Sequence, residues 1–138
     1  MNIVDAVRDY ISACPLLKDG RLGVDWLGSE PVEYVIEVVP AETVVKKYAD
    51  GGALKQFVFL FASREAYSAD ILDNLSNCGF YEQFADWVET QDKAKIYPDM
   101  GQGRVVTGMR TTTCGYLFDA DANTGRYQIQ CVINYQED

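Results

Sequence analysis

The side chains that most often perform catalysis are either missing from this chain or lack their usual neighbours. Histidine, the common general base for a serine or cysteine nucleophile, does not occur among the 138 residues. No Gly-x-Ser-x-Gly, phosphate-loop or dinucleotide-binding pattern is present either. A carboxylate pair of the glycosidase type is formally possible, but most of the 21 acids fall on predicted helix surfaces or in turns, among them Asp70, Asp73, Glu82, Asp86 and Glu89. We therefore expect a protein that is not an enzyme.

Metal binding by cysteine is the next chemistry to consider. Cys14, Cys78, Cys114 and Cys131 are widely separated in sequence, whereas zinc sites built from cysteine alone usually consist of two close pairs. We expect reduced thiols that pack as small apolar side chains. If a terminal hairpin turns near Ala122, Cys114 and Cys131 face each other across it, and in a reducing compartment both should remain thiols.

Residues 119–125 read Asp-Ala-Asp-Ala-Asn-Thr-Gly, which resembles the start of a calcium-binding loop. That loop requires glycine at its sixth position and a bidentate acid at its twelfth. Thr124 and Gln130 occupy these positions here, and the flanking residues are typical of strands rather than helices. The segment therefore predicts a hairpin turn and no metal site, because Asp, Asn and Gly are favoured turn residues.

The residues that could contact a partner are bases and tyrosines. On a chain with 12 basic and 21 acidic residues, a few bases could pair with acids of a neighbouring copy. Alternatively, they are solvated lysines that protect strand edges from aggregation. Tyr48, Tyr81 and Tyr135 are predicted to be exposed aromatics that suit an interface, although tyrosines also surround ordinary cores. The candidate interface residues are Lys46, Lys47, Tyr48, Lys55, Arg104, Arg110 and Tyr135.

Composition restricts the class of protein further. A net charge of −9 repels phosphate backbones, so specific binding of DNA or RNA is not expected. Hydrophobic residues make up 48% of the chain, and the length favours a single domain spanning residues 1–138. No stretch approaches the roughly 20 apolar residues of a membrane helix. Asp5, Arg8 and Asp9 interrupt the N-terminal segment, which therefore lacks the apolar centre of a signal peptide and predicts a cytoplasmic protein.

The elements that position these residues follow from the hydrophobic pattern. Residues 3–13 predict a helix that is capped by Asn2 and stopped by Pro15. Residues 22–27 and 32–39 predict two strands joined by a hairpin-like connection.

A second group of strands follows in the sequence. Residues 43–48 and 53–63 predict an antiparallel pair around a turn at residues 50–52. The later strand is apolar on both faces, which places it at the centre of the sheet. Its apolar side chains are Phe57, Phe59 and Phe61 on one face and Val58 and Leu60 on the other.

Residues 68–95 predict an acid-rich helical segment, which Gly79 breaks or bends. Its apolar positions are Ile71, Leu72, Leu75, Cys78, Phe80, Phe84, Trp87 and Val88. Residues 103–118 and 126–136 predict extended segments joined by a turn at residues 119–125. In the last segment, one face carries Tyr127, Ile129, Cys131, Ile133 and Tyr135. The other face carries Gln128, Gln130, Val132, Asn134 and Gln136, and this alternation predicts a half-buried strand with one wet, amide-rich face.

The predicted fold class is therefore α+β. A mixed, mostly antiparallel sheet is packed by an N-terminal helix and a central helical segment, and it ends in a C-terminal β-hairpin. The wet face of the last strand is a surface for contact rather than for chemistry.

Three stretches carry a resemblance to a known family. They read FLFASREAY at residues 59–67, NCGFYEQFADWVE at residues 77–89 and GYLFDADANTGRYQIQCVINY at residues 115–135. Together with the order of the elements, they resemble the tail terminator and minor capsid (head–tail joining) proteins of long-tailed phages and prophages of Gram-positive bacteria. The similarity extends over residues 2–136 and lies in hydrophobic and aromatic patterning, not in a catalytic motif.

The resemblance implies a structural role, with no enzymatic activity and no cofactor. In that family, six copies form a ring that caps the tail tube and then joins it to the head. The implied partners are further copies of the chain, the tail tube protein and a head-completion protein. DNA would pass through the lumen without specific binding, and no membrane is involved. The implied location is the cytoplasm of the host bacterium during assembly, and afterwards the virion neck or tail end.

A different class of protein is also compatible with the sequence. The chain could be a cytoplasmic α+β module that binds a small ligand or a protein without catalysis. A pocket between residues 80–88 and the sheet would serve such a module. The family offers no catalytic residues to transfer. No motif fixes its interface residues either, so the interface candidates rest on surface chemistry alone.

The alternation in the last strand yields a first prediction. Ile129→Asp places a carboxylate on the inward face, where burial of an unpaired charge is costly, and should abolish soluble folding. Gln130→Lys lies on the other face and should leave the fold intact. Soluble yield and thermal unfolding by circular dichroism measure both effects. The opposite result for the two variants would mean that the strand register is shifted by one residue.

Overall fold

The computed structural model describes residues 2–17, 22–24, 33–66, 71–120 and 124–138. These residues form an α+β fold in which seven strands make one open, mixed sheet and two helices pack on it. The helices are α1 (Ile3–Ser12) and α2 (Ile71–Ala94). The strands are β1 (Leu22–Val24), β2 (Glu33–Val38), β3 (Val44–Lys47), β4 (Ala53–Ala66), β5 (Arg104–Thr111), β6 (Tyr116–Ala120) and β7 (Thr124–Glu137). The predicted fold class is confirmed.

β4 and β7 form the centre of the sheet. These two strands of 14 residues each pair antiparallel along their whole length, from Ala53 opposite Glu137 to Ala66 opposite Thr124. The other side of β4 pairs with β3 and then with β2, and β2 in turn pairs with β1. The other side of β7 pairs with β5 and with β6, each along a different half of the strand. The strand order therefore ends at β1 on one side and at β5 on the other, and β3 and β6 are further edge strands beside β4 and β7, respectively.

β7 shows the predicted two-residue alternation. The five side chains predicted to point inward are buried: Tyr127, Ile129, Cys131, Ile133 and Tyr135. Across the ladder, Phe59 lies opposite Cys131 and Phe61 lies opposite Ile129. The ring of Phe61 stacks on that of Phe84 from α2, with 4.4 Å between centroids. The helices and this face of the sheet thus share one hydrophobic core, and the predicted central position of β4 is confirmed.

α1 begins with a capping box, in agreement with the predicted cap. The backbone amide of Asp5 donates to Asn2 Oδ1 at 2.8 Å, and the Asp5 side chain accepts from the Asn2 amide. The box satisfies amides that have no partner inside the helix. The helix turns Ala6, Val7 and Ile11 into the core.

α2 runs without interruption through Gly79, so the predicted break at this residue is wrong. Glycine costs a helix about 1 kcal/mol relative to alanine, and the next turns of α2 offset that cost by burying Tyr81, Phe84 and Val88. Cys78 was predicted on the apolar side but is exposed. The acids Glu82, Asp86 and Glu89 lie on the exposed surface, as predicted. The side chains of Asp70 and Asp73 lie outside the described residues.

Two predicted connections differ from the structure. β1 and β2 pair in parallel, with Leu22 opposite Tyr34, so the connection between them is not a hairpin. The alternation of side chains fixes which face a strand buries but not the direction of its neighbour. Residues 25–32, including the whole predicted connection, lie outside the described residues. By contrast, β3 and β4 are antiparallel around Gly51, which has a φ of 95°, and this predicted hairpin is confirmed.

The extended segment predicted at residues 103–118 is divided into β5 and β6. β5 pairs with the C-terminal half of β7, and β6 pairs with its N-terminal part, where Ala120 lies opposite Gly125. The β6–β7 hairpin agrees with the predicted C-terminal hairpin. Residues 121–123, at the centre of its turn, lie outside the described residues, so the comparison with a calcium loop stays untested.

The division of this segment changes the positions of the cysteines. Cys131 is buried and lies opposite Thr111 of β5, so it does not face Cys114 as predicted. Cys114 belongs to the connection between β5 and β6 and is exposed. Cys14 is buried beside α1 and fits the expectation of a small apolar side chain.

The connection between β5 and β6 is held against α2 by Gly115. A Cβ atom at this position would lie 2.3 Å from Cβ of Tyr81, so only glycine allows this approach. Tyr81 was predicted to be exposed, but it is 1% exposed. Its hydroxyl donates to the Tyr127 carbonyl at 2.9 Å and lies 2.7 Å from Ser63 Oγ. The tyrosine thereby satisfies a buried serine and joins α2 to both central strands.

This close approach yields a second prediction. Gly115→Ala should lower the free energy of unfolding by about 1–3 kcal/mol, because the added methyl group must displace Tyr81 or the connection. Gly79→Ala is the matched control, since a Cβ atom there meets no other atom within 4 Å. The control should raise stability by about 1 kcal/mol through helix propensity. Urea unfolding of both variants measures the difference, and equal stability of the two would contradict the contact.

Candidate interface surfaces

The β3 edge of the sheet carries two of the predicted basic residues. β3 pairs with β4 on one side, and among the described residues no strand pairs with its other side. Lys46 and Lys47 are exposed, and the Lys46 ammonium lies 5.7 Å from the ring centroid of Tyr48. Val45, also in β3, is 52% exposed. Within the described part of the chain, neither lysine forms an ion pair. The edge is thus basic and partly apolar.

Exposed acids of α2 lie beside β5, at the opposite edge of the sheet. β5 also lacks a second strand partner within the described ranges, and its Val105 is 64% exposed. Beside β5, α2 presents Asp86 and Glu89 to a cleft of about 250 Å³. Two bases partly offset this negative charge: Arg110 of β5 lines the same cleft, and Lys93 of α2 pairs with Glu89. Arg110 was predicted to be an interface residue, whereas Asp86 and Glu89 were predicted only to lie on a helix surface.

Asp92 closes the base of this cleft. Its Oδ1 accepts a hydrogen bond from the Met109 amide at 3.0 Å and another from the Tyr97 hydroxyl at 2.7 Å. The hydrogen bond to the carboxylate raises the pKa of Tyr97 to about 12, because it favours the protonated phenol. Asp92 therefore connects the end of α2 to β5 by a hydrogen bond and fixes the relative position of the two elements that line the cleft.

Lys55 and Arg104 were predicted at an interface, but both pair within their own chain. Lys55 Nζ contacts Oε1 of Glu137, and Arg104 Nε donates to Oε2 of the same carboxylate at 2.6 Å. The three residues belong to β4, β5 and β7, so the cluster joins three strands at one end of the sheet. The hydrogen bonds from Arg104 and Lys55 lower the pKa of Glu137.

Tyr135 is also not available to a partner. Its side chain is buried among the inward residues of β7, and this burial raises its pKa. Tyr48 is half-buried beside the β3 edge. Of the seven predicted interface residues, Lys46, Lys47 and Arg110 are thus exposed, Tyr48, Lys55 and Arg104 are half-buried, and Tyr135 is buried.

The sheet face that points away from the core is less wet than predicted. Its centre contains a second group of buried apolar side chains, Val35, Val58, Ala62 and Val132, which lie outside the helix-side core. Gln128 is buried as well, and its Nε2 donates to the Tyr116 hydroxyl at 2.6 Å. Gln130 is half-buried and donates to Thr112 Oγ1 at 3.1 Å. No described helix packs on this face.

β6 adds exposed apolar residues that the sequence analysis missed. Phe118 is 60% exposed, and Tyr116 and Leu117 are partly exposed. The Phe118 ring lies 5.3 Å from the guanidinium of Arg126, which also pairs with Glu37 of β2 at 2.8 Å. The run of three large apolar residues beside a turn was visible in the sequence, but its exposure was not. Tyr116, opposite Gln128, and Phe118, beside Arg126, form the β6 rim of the sheet face that points away from the core. Leu117 lies opposite the inward-facing Tyr127.

Two further observations concern metal ligands and membrane-spanning helices. Among the described residues, no group of three or more cysteine, aspartate and glutamate side chains is arranged to hold a metal ion. Neither described helix is long and apolar enough to cross a membrane. Comparison with known proteins finds no matching family model and no matching curated protein.

The cluster at Glu137 yields a third prediction, on pH dependence. Because the pKa of Glu137 is lowered in the folded state, its ion pairs stabilise the protein fully above the ordinary glutamate pKa. That stabilisation disappears as the pH falls through the lowered pKa. Glu137→Gln should therefore reduce stability at pH 7 by about 1 kcal/mol or less, since the pairs are partly solvated. The difference from the wild type should shrink as the pH falls, because the carboxylate becomes protonated below its lowered pKa.

Thermal unfolding from pH 7 down to pH 2 measures this effect. Glu89→Gln is the control, because among the described residues Glu89 forms an ion pair with exposed Lys93 alone, at 3.1 Å on the surface of α2. It should show a smaller loss at pH 7. A Glu137→Gln penalty that persists unchanged at pH 2 would mean that packing, not charge, accounts for the loss.

Proposed function

We propose that this chain is a structural subunit of a long-tailed phage or prophage, a tail terminator or neck component that assembles into a ring. The ring would cap the tail tube and help to join it to the head. One observation carries the proposal: exposed lysines lie at the β3 edge of the sheet, and exposed acids of α2 lie beside β5 at the opposite edge. Lys46 and Lys47 mark the β3 edge, whereas Asp86 and Glu89 mark the cleft beside β5. The resemblance of three sequence stretches to that family supports the same assignment.

Opposite charge on opposite edges favours a head-to-tail contact between copies. A contact of this kind uses two different surfaces of each subunit, and it closes into a ring when the rotation between subunits is suitable. The exposed Val45 and Val105 would add apolar area to the same contact. Both edges also present unpaired backbone groups of a strand, so the sheets of adjacent copies could continue into each other.

The remaining surfaces suit the other proposed partners. The tail tube protein and a head-completion protein would contact the ring from its two ends, and the β6 rim with Phe118 is a candidate for one of these contacts. The net charge of −9 supports a lumen through which DNA moves without adhering. The proposed location is the cytoplasm of the host bacterium during assembly and then the virion neck or tail end.

The alternative is an α+β module that binds a small ligand or a protein without catalysis. The cleft of about 250 Å³ beside Ala85 and Val88 favours it, because it lies near the predicted pocket at residues 80–88. Ligand sites for drug-sized molecules usually measure about 300–1,000 Å³. The cleft is therefore small for such a site, and the structural role is the better-supported proposal.

Solution mass distinguishes the two functions. Light scattering on a sizing column, at several protein concentrations, should give a closed oligomer, and negative-stain images of the same fractions should show rings with a central hole. A protein that remains monomeric should instead be recruited to the ends of purified tail tubes. A monomer that also fails to bind tail tubes would reject the structural role and leave the binding module.

Charge reversal at the two edges is the fourth prediction. The double variant Lys46→Glu, Lys47→Glu should weaken self-association about tenfold or more, because it places acids opposite acids. The double variant Asp86→Lys, Glu89→Lys should weaken it similarly. Mixing the two variants should restore association between unlike chains. Asp9→Lys, on the exposed surface of α1, is the control for changed net charge and should have little effect. Loss of assembly without rescue in the mixture would place the contact elsewhere.

A further inference from the structure

Two exposed cysteines line one small cleft. The cleft has a volume of about 170 Å³ and lies between α2 and the connection from β5 to β6. Cys78 contributes from α2, and Cys114 contributes from the connection. Both are exposed and both are free thiols. They are 36 positions apart in the sequence, and no spacing motif relates them.

The backbone contact at Gly115 holds these two cysteines near each other. The Cβ position of Gly115 lies 2.3 Å from Cβ of Tyr81, so the connection touches α2 at that residue. Cys114 is the neighbour of Gly115 in the chain. Cys78 lies three positions before Tyr81, and residues three apart in a helix share one face. The two thiols thus lie beside the same tight contact, one on each of its partners.

The other two cysteines have a different environment. Cys14 and Cys131 are buried, and burial raises the pKa of both thiols because it disfavours the thiolate. The thiolate is the form that reacts with disulfides, and it also needs access to the reagent. Reactivity should therefore be confined to the pair at the cleft, and the buried pair provides an internal control.

We propose that Cys78 and Cys114 form a reversible disulfide when the protein meets an oxidant of the small-molecule disulfide class. One of the two thiolates attacks a sulfur of the reagent, which forms a mixed disulfide and releases one small thiolate. The second cysteine thiolate then attacks the protein sulfur and releases the other small thiolate. The two protein thiols lose two electrons in total, the reagent gains them, and the two thiol protons pass through solvent to the released thiolates.

The bond would join α2 to the β5–β6 connection. It would enclose residues 79–113, and a loop of this length restricts the unfolded chain considerably. It would also protect the contact between Gly115 and Tyr81 from local opening. In a reducing compartment the pair remains as two thiols, and an oxidising compartment favours the bond. The structure thus contains a site for reversible covalent reinforcement that does not depend on the proposed assembly.

The test uses the full chain in buffers with increasing ratios of oxidised to reduced glutathione. After alkylation of the remaining thiols, mass spectrometry of the intact protein and of its peptides should show one intramolecular bond between Cys78 and Cys114. Cys14 and Cys131 should be alkylated only after unfolding. Cys78→Ser and Cys114→Ser should each convert the remaining exposed thiol into a stable glutathione adduct. Oxidation should raise the melting temperature of the wild type and not that of either variant.

Three outcomes would overturn the proposal. Separate glutathione adducts on both cysteines of the wild type would mean that the thiols cannot meet. A disulfide-linked dimer on a non-reducing gel would mean that they pair between molecules. Oxidation of Cys14 or Cys131 before the exposed pair would contradict the division of reactivity. Serine at either exposed position replaces no core side chain, so loss of folding should not complicate these results.

Discussion

The continuous pairing of β4 with β7 is the constraint on which the rest of this structure depends. Fourteen residues of each strand take part, so the ladder extends well beyond the length of any neighbouring strand. One side of it can therefore hold β2 and β3 in succession, and the other side can hold β5 and β6. The same ladder sets Phe59 and Phe61 opposite Cys131 and Ile129, which creates the surface that the helices cover. The β4–β7 ladder thus determines both the position of the core and which strands lie at the sheet edges.

Features determined by nearby residues could be predicted from the sequence. The alternation in β7 identified the inward side chains, and the Asn2 cap required only its own first helical turn. Features determined by distant residues could not. The parallel pairing of β1 with β2 leaves no mark on either strand pattern. Gln128 was predicted on a wet face because its partner, the Tyr116 hydroxyl, belongs to a strand that the prediction had not separated from β5.

The candidate interface shows the same division. Lys55 and Arg104 looked available because their common partner, Glu137, lies 82 and 33 positions away in the sequence. Lys46 and Lys47 keep their exposure because the turn that follows them places β3 at the sheet edge. The acidic cleft beside β5 could not be predicted for a different reason. Asp86 and Glu89 had been read as ordinary solvated helix positions, and only the packing of α2 beside β5 gives them a cleft.

A chain with a net charge of −9 should resist self-association, so the placement of its few accessible bases is informative. Salt screens charges beyond about 8 Å at physiological ionic strength. The overall repulsion between copies is therefore weakened, while charges in direct contact are screened less. Lys55 and Arg104 both form ion pairs with Glu137. Lys46 and Lys47 remain exposed at the β3 edge, on the opposite side of the sheet from the acids of α2. Under the proposed function, the chain would attract its own copy in one relative orientation and be repelled by it in most others, as ordered assembly of like-charged subunits requires.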